Sequence, residues 1–219
     1  MMMYYKLKCD MKRNKTILLF LLACVLAVTC IHPLYPTEQF LQHLGTLALF
    51  AVMGYDIRKG WMSMASYCGI AVFTLLHIIG ARYIYSYVPY NEWIMSLTGF
   101  DIDGYLGATR NHYDRIVHFS FGLVMMPVFI QIAERMKIGA RYGAVVMAWL
   151  FIQTGSMIYE LFEWLLTIVM TSEAAENYNG QQGDMWDAQK DMALALLGST
   201  MTAAVYMVKA SLRARKRTA

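Results

Sequence analysis

Residues 142–170 read YGAVVMAWLFIQTGSMIYELFEWLLTIVM, an apolar run whose only charged members are Glu160 and Glu163. A helix needs ~20 mainly apolar residues to cross a hydrocarbon core ~30 Å thick. This run exceeds that, so it tilts or projects beyond the bilayer. Working outward, the chain holds five more runs of the same kind, at 16–31, 40–54, 62–83, 116–133 and 192–208, the second short and loosely bounded. With 58 % hydrophobic residues, the chain is too apolar for a water-facing surface. Only four prolines are present, and no Ser/Gly/Pro-rich or charge-rich linker divides the chain. The expectation is an all-α membrane protein, a bundle of six transmembrane helices. The six-helix domain covers 16–208 and is flanked by cytoplasmic basic tails at 1–15 and 209–219.

Orientation follows from the basic residues, which cluster on the cytoplasmic side of membrane proteins. The side holding both termini carries Lys6, Lys8, Lys12, Arg13, Lys15, Arg58, Lys59, Arg135, Lys137, Arg141, Lys209, Arg213, Arg215, Lys216 and Arg217, 15 of the 19 Lys and Arg. Both termini are therefore expected in the cytoplasm. The net charge of +4 reads as a topology signal, and nucleic acid is not an expected partner; the lipid bilayer is. Of the 15 acidic residues, 12 fall on the outer side, with only Asp10, Asp56 and Glu134 inside. Acidic residues weigh little in topology, so this asymmetry points to function. Cleavage of the first run as a signal peptide lacks an A-x-A-like site. The Leu21-Leu22-Ala23-Cys24 stretch only faintly resembles a lipoprotein box. Met11-Lys12-Arg13 looks like a natural start, and the expectation from it is that 1–10 are an upstream extension. Cys9, Cys24, Cys30 and Cys68 form no CxxC pair, so neither a disulfide nor a thiolate metal site is expected.

Charges inside spans cost ~2.5–3.5 kcal/mol each at mid-membrane on insertion scales, so their positions carry information. Asp114 and His118 are four residues apart at the mouth of the fourth run and share a helical face. Glu160 lies ~27 Å along the fifth run from Tyr142, which puts Glu160 and Glu163 together in the outer leaflet. Asp184, Asp187 and Asp191 have the i, i+3, i+7 spacing of one stripe entering the sixth run. His43 and His77 fall at similar depth in the second and third runs. Simpler readings exist: Asp184 and Asp187 as a helix N-cap, Asp114 as another, and the histidines as interhelical hydrogen-bonding groups. Glu160 and Glu163 repel each other unless a proton, an arginine or a metal neutralises them. Arg82, Arg110 and Arg115 are available for that, or for an anionic substrate group. An oxygen-rich set with one or two imidazoles suits Mg, Mn, Fe or Zn. No E-x-x-H or H-E-x-x-H spacing is present.

Three blocks carry a resemblance: Asn111-His112-Tyr113-Asp114-Arg115 with His118-Phe119, Glu160-Leu161-Phe162-Glu163-Trp164, and Gln182-Gly183-Asp184-Met185-Trp186-Asp187-Ala188-Gln189-Lys190-Asp191-Met192. Together they resemble the YjdF-like family of bacterial inner-membrane proteins, a domain of unknown function. The third block, with its mix of Gly, Asp, Trp and Gln, is the most specific. The resemblance covers most of the chain and implies a multipass protein of the bacterial inner membrane; it implies no reaction. The stretch 97–109 looks longer than the family pattern.

Three functions compete. The first is a membrane-embedded metal-dependent hydrolase acting on a lipid-like or periplasm-facing substrate. Its divalent metal would be held by Asp114, His118, Asp184, Asp187 and Asp191, with Glu160 and Glu163 as catalytic carboxylates and Arg115 and His77 contacting substrate. The second is a transporter, disfavoured because the polar groups gather near one face rather than at the midplane and no internal repeat is visible. The third is a structural or partner-binding protein whose acids and arginines tie helix ends together. Tyr83, Tyr85, Tyr87, Tyr90 and Trp93 read as an interfacial aromatic belt. The loop 86–112 is expected to hold a short amphipathic helix at 91–97, broken by Gly99 and Gly104, serving as a lid or a surface linker.

Overall fold

The computed structural model describes residues 2–138 and 142–218. Arg141, one of the residues counted for orientation, lies outside them. Among the described residues there are nine helices and no strand: α1 (Met2–Thr29), α2 (Pro36–Lys59), α3 (Met64–Arg82), α4 (Tyr90–Thr98), α5 (Ile102–Leu106), α6 (Tyr113–Arg135), α7 (Gly143–Val169), α8 (Ser172–Asn179) and α9 (Asp187–Thr218). Five are long and apolar enough to cross a membrane: α2, α3, α6, α7 and the Asp187–Leu212 part of α9. In α1 the apolar run is continuous with Lys12, Arg13 and Lys15, which keeps it below that measure. Large apolar side chains such as Phe20, Leu47, Leu150, Phe151, Ile158 and Leu165 are exposed around the bundle, as expected where the solvent is lipid.

Helix ends follow local chemistry. Pro36 opens α2, where its missing N–H is no loss, and Gly60 closes it at φ +63°. Ser63 and Thr171 cap α3 and α8 with their hydroxyls. The expected helix at 91–97 is α4, ended by left-handed Gly99. Gly104 breaks nothing. It lies inside α5, where the absent Cβ makes room for the Asp101 carboxylate that caps that helix, and Gly107 provides the stop. Helix α8 is too short and polar to have stood out in the hydropathy pattern.

The tightest packing is between α6 and α9. A Cβ on Gly122 would overlap the Ala195 carbonyl oxygen, and one on Gly198 the Phe119 carbonyl oxygen, so only glycine allows this approach. Pro127 sits inside α6 and cannot donate to the carbonyl of Leu123. Thr202 of α9 donates to that carbonyl instead, at 2.9 Å. Gly69 of α3 lies against the Val124 carbonyl of α6, where a Cβ would meet it at 2.7 Å.

The two ends of the bundle differ. At one, Lys15 is fully buried and donates to Asp56 Oδ2 at 2.5 Å and to the Met62 carbonyl at 2.7 Å, with its ammonium 5.1 Å from the Tyr67 ring centroid. Asp56 Oδ1 accepts from the backbone N–H groups of Trp61 and Met62, both at 2.8 Å. Lys15 is thus more than a topology charge: it pins α1 to the α2–α3 turn. At the opposite end Arg82 donates to the carbonyls of Thr29 and His32, and Gln39 donates to Thr29. Tyr85 and Tyr90 are buried there, so the expected aromatic belt reduces to the exposed Tyr87 and Trp93 with half-buried Tyr83.

Candidate metal centre

Asp114 and His118 stand one turn apart at the start of α6, and Asp191 stands one turn into α9. The glycine-mediated crossing at Gly122 and Ala195 begins one turn further along both helices, and it brings His118 and Asp191 side by side. One donor atom from each of Asp114, His118 and Asp191 lies within 4.8 Å of the others, and all three residues are buried. Glu160 arrives from α7. His118 Nε2 is 3.6 Å from Glu160 Oε1 and 3.7 Å from Asp114 Oδ1, too long for hydrogen bonds. Two donors each ~2.1 Å from a shared ion stand roughly 3–3.5 Å apart, so the 3.6 and 3.7 Å contacts of His118 are close to what a shared ion would require. Asp191 Oδ1 and Glu160 Oε1 are buried without a hydrogen-bond partner. Lone buried carboxylate oxygens are costly, and a divalent cation would satisfy both. The donor set, carboxylates with one imidazole, fits such an ion.

Asp184 and Asp187 face elsewhere. Arg110 donates to Asp187 at 2.6 Å and lies 3.5 Å from Asp184, while Arg115 pairs with Asp184 and lies 3.4 Å from Asp187. Asp184 also accepts from Lys190 at 2.6 Å and from the Trp186 N–H at 3.1 Å. The hydrogen bond from Lys190 foremost, then those from Trp186 and Arg115, hold the Asp184 carboxyl down to about 2, so it stays ionised as a partner of the arginine. Arg110 further donates to the carbonyls of Gly180 and Gln181, and Gln182 exchanges hydrogen bonds with the backbone of Asn111. The first and third sequence blocks are therefore clasped together over the end of the bundle, with Arg115 occupied by that clasp.

Glu163 lies one turn beyond Glu160, half-buried, and its carbonyl accepts from Asn179 of α8 at 3.1 Å. His77 is apart from the three-residue cluster. Its Nε2–H donates to the Gln42 carbonyl at 2.9 Å, leaving Nδ1 of the neutral ring to accept from the Tyr85 hydroxyl. That contact rests on a strained turn, with Ile84 at φ 43° and Tyr85 at φ 57°. Gly80 makes room for the Tyr85 ring, which would stand 2.7 Å from a Cβ there.

A cavity of about 470 Å³ begins at this cluster. His77, Tyr85, Asp114, His118, Ser156 and Tyr159 line its polar end, and the remainder is almost entirely apolar. Ser156 and Tyr159 are the site neighbours that sequence reasoning missed. Ser156 precedes Glu160 by one turn in an apolar run, and that i, i+4 spacing was a readable signal. The position of Tyr159 on the cavity wall was not readable without the helix rotation.

Residues 14–211 match the family model described as "Predicted membrane protein (DUF2238)". The chain is also similar to "Inner membrane protein YjdF" of Escherichia coli (strain K12), with 32 % identity over 152 residues, covering 69 % of this chain and 68 % of that protein. No solved structure matches it. The Asn-His-Tyr-Asp-Arg, Glu-x-x-Glu-Trp and Gly-Asp-x-Trp-Asp blocks that build this end of the bundle all fall within the matched residues, and the chain belongs to the DUF2238 family of predicted membrane proteins.

Proposed function

We propose that this protein is a metal-dependent hydrolase embedded in the bacterial inner membrane, with its site facing outward and both termini in the cytoplasm. The observation that carries the reading is the convergence of buried Asp114, His118 and Asp191 from two helices, with the unpartnered Glu160 oxygen beside them. Asp114, His118 and Asp191 would hold a divalent cation, and the chemistry such an ion would supply there is polarisation of a carbonyl or phosphoryl oxygen and acidification of water. Glu160 accepts a proton from the attacking water. The water oxygen bonds to the carbonyl carbon or phosphorus, the bond to the leaving oxygen breaks, and that oxygen takes up the proton from Glu160. Glu163, one turn nearer α8, relays protons between Glu160 and the aqueous face. Asp184 and Asp187 hold Arg110 and Arg115 against the mouth of the site. That clasp also favours a second, structural role for this part of the third block.

Purified wild-type protein is expected to retain a single divalent ion per chain by elemental analysis. His118→Ala and Asp191→Asn should lower retention at least ~10-fold, the scale of tuning seen even for outer-shell groups; Glu160→Gln should keep the ion and lose turnover. A wild-type protein that holds none of Mg, Mn, Fe or Zn, and whose melting temperature is unmoved by adding them, would overturn the reading.

Six spans, residues 16–208, are part of the same proposal. α1 supports it by reaching from Lys15, tied to Asp56 at one end, to Thr29, held by Arg82 at the other, the same interval that α2 and α3 cover. The inner-membrane location is supported by the family and the Escherichia coli relative, and the orientation by the distribution of basic residues. In a cysteine-free background, Glu173→Cys should react with an impermeant maleimide in intact spheroplasts, and Lys59→Cys only after lysis. The opposite pattern sinks the orientation.

A further inference from the structure

The cavity below the metal cluster has a shape that selects a ligand class. Its walls come from α2, α3, α6 and α7. α2 packs on α1, α3 and α8, and α7 packs on α6, α8 and α9; the cavity fills the space between α2 and α7. Across that gap the site end is bridged by α8, where Gln42 donates to the Tyr178 carbonyl at 3.5 Å. Further along, lining residues such as Val52 remain 45 % exposed, so the slot opens sideways onto the surface that faces lipid.

Length is equally specific. Asp114 and Ile132 both line the cavity, and eighteen residues of helix rise ~27 Å. Such a slot is long enough to take an extended hydrocarbon chain. Polar groups are confined to one end, where Asp114, His118 and Ser156 meet the cavity. Ser156 Oγ is buried there without a partner, on a residue only 3 % exposed. A ligand with a polar head and an apolar tail satisfies both halves, whereas a water-soluble substrate leaves the apolar walls empty.

We infer that the site takes an amphiphile with an oxyanion head, an apolar tail lying in the α2–α7 slot and the head at the Asp114–His118–Asp191 cluster. The head half rests on the metal reading proposed above, since the Asp114 and Asp191 carboxylates, with Glu160 beside them, would repel an anion without a cation. The tail half rests on the cavity alone.

The test uses the full-length purified protein and a monoacyl phosphate carrying a diazirine midway along its chain. Photolabelling mapped by mass spectrometry should fall on Phe73, Met125 and Phe129. Excess unlabelled monoacyl phosphate should displace it, and inorganic phosphate should not. Val52→Trp and Ala48→Phe, which enlarge exposed lining positions, should each cut labelling several-fold without changing melting temperature or metal content. Labelling spread over outward-facing residues such as Phe20 and Leu150 and insensitive to both variants overturns the inference. Metal content is read on the same samples. Bound metal with an unlabelled slot defeats this inference and leaves the hydrolase reading standing; a labelled slot in metal-free protein defeats the hydrolase reading and keeps the tail half.

Discussion

Thr202 supplies a hydrogen bond that Pro127 has taken away. Its hydroxyl donates at 2.9 Å to the Leu123 carbonyl, which the proline one turn later cannot serve. Thr202→Val keeps shape and removes the donor, so unfolding in mixed micelles should show a loss of about 1–3 kcal/mol, the cost of an orphaned buried acceptor. Thr202→Ser should restore most of it. Interhelical hydrogen bonds in membranes average only ~0.6 kcal/mol, and a loss no larger than that would mean water or another donor reaches the carbonyl. At this scale the sequence was partly legible. Asp114, His118 and Glu160 stood out as charged or titratable groups in apolar runs. What it withheld were partners far along the chain: Lys15 read as one more basic residue, because Asp56 lies 41 positions away.

Among the elements, the α6–α9 crossing sets both core and site. Gly122→Ala puts a methyl group into the Ala195 backbone carbonyl, which cannot turn aside, so the helices must separate. Overpacking of this kind costs ~1–3 kcal/mol, and the separation should lower metal retention together with stability. Gly54→Ala is the control: nothing lies within 4 Å of a Cβ there, and helix propensity favours alanine by up to ~1 kcal/mol. If both variants retain metal like wild type, the crossing does not position Asp191. The spans at α2, α3, α6, α7 and α9 were legible because hydropathy reports run length directly; the expected run at 142–170 is α7, Gly143–Val169. The rotation of each helix about its axis was not, since apolar residues surround most of these helices. Asp184, Asp187 and Asp191 likewise read as one stripe, but α9 begins only at Asp187, so Asp184 precedes the helix and turns with Asp187 toward Arg110 and Arg115, while Asp191 turns toward His118.

For the whole molecule, the opposite end of the bundle has its own anchor in the buried Lys15–Asp56 pair. Lys15→Met strands a carboxylate that is 1 % exposed, and removing one partner of a buried pair typically costs ~3–5 kcal/mol. Lys15→Met/Asp56→Asn should recover a large part of that, because an amide oxygen still accepts from Trp61 and Met62; equal losses in single and double variants would show that Lys15 matters for packing alone. The Pro127–Thr202 bond has a consequence for how the chain is made. Translation delivers α6 well before α9, so the Leu123 carbonyl, the Gly122 face of α6 and the third member of the proposed metal cluster all wait for α9 to leave the ribosome and insert. A nascent bundle lacking α9 carries an unsatisfied Leu123 carbonyl and an incomplete candidate site, and both defects are mended in one step when α9 docks.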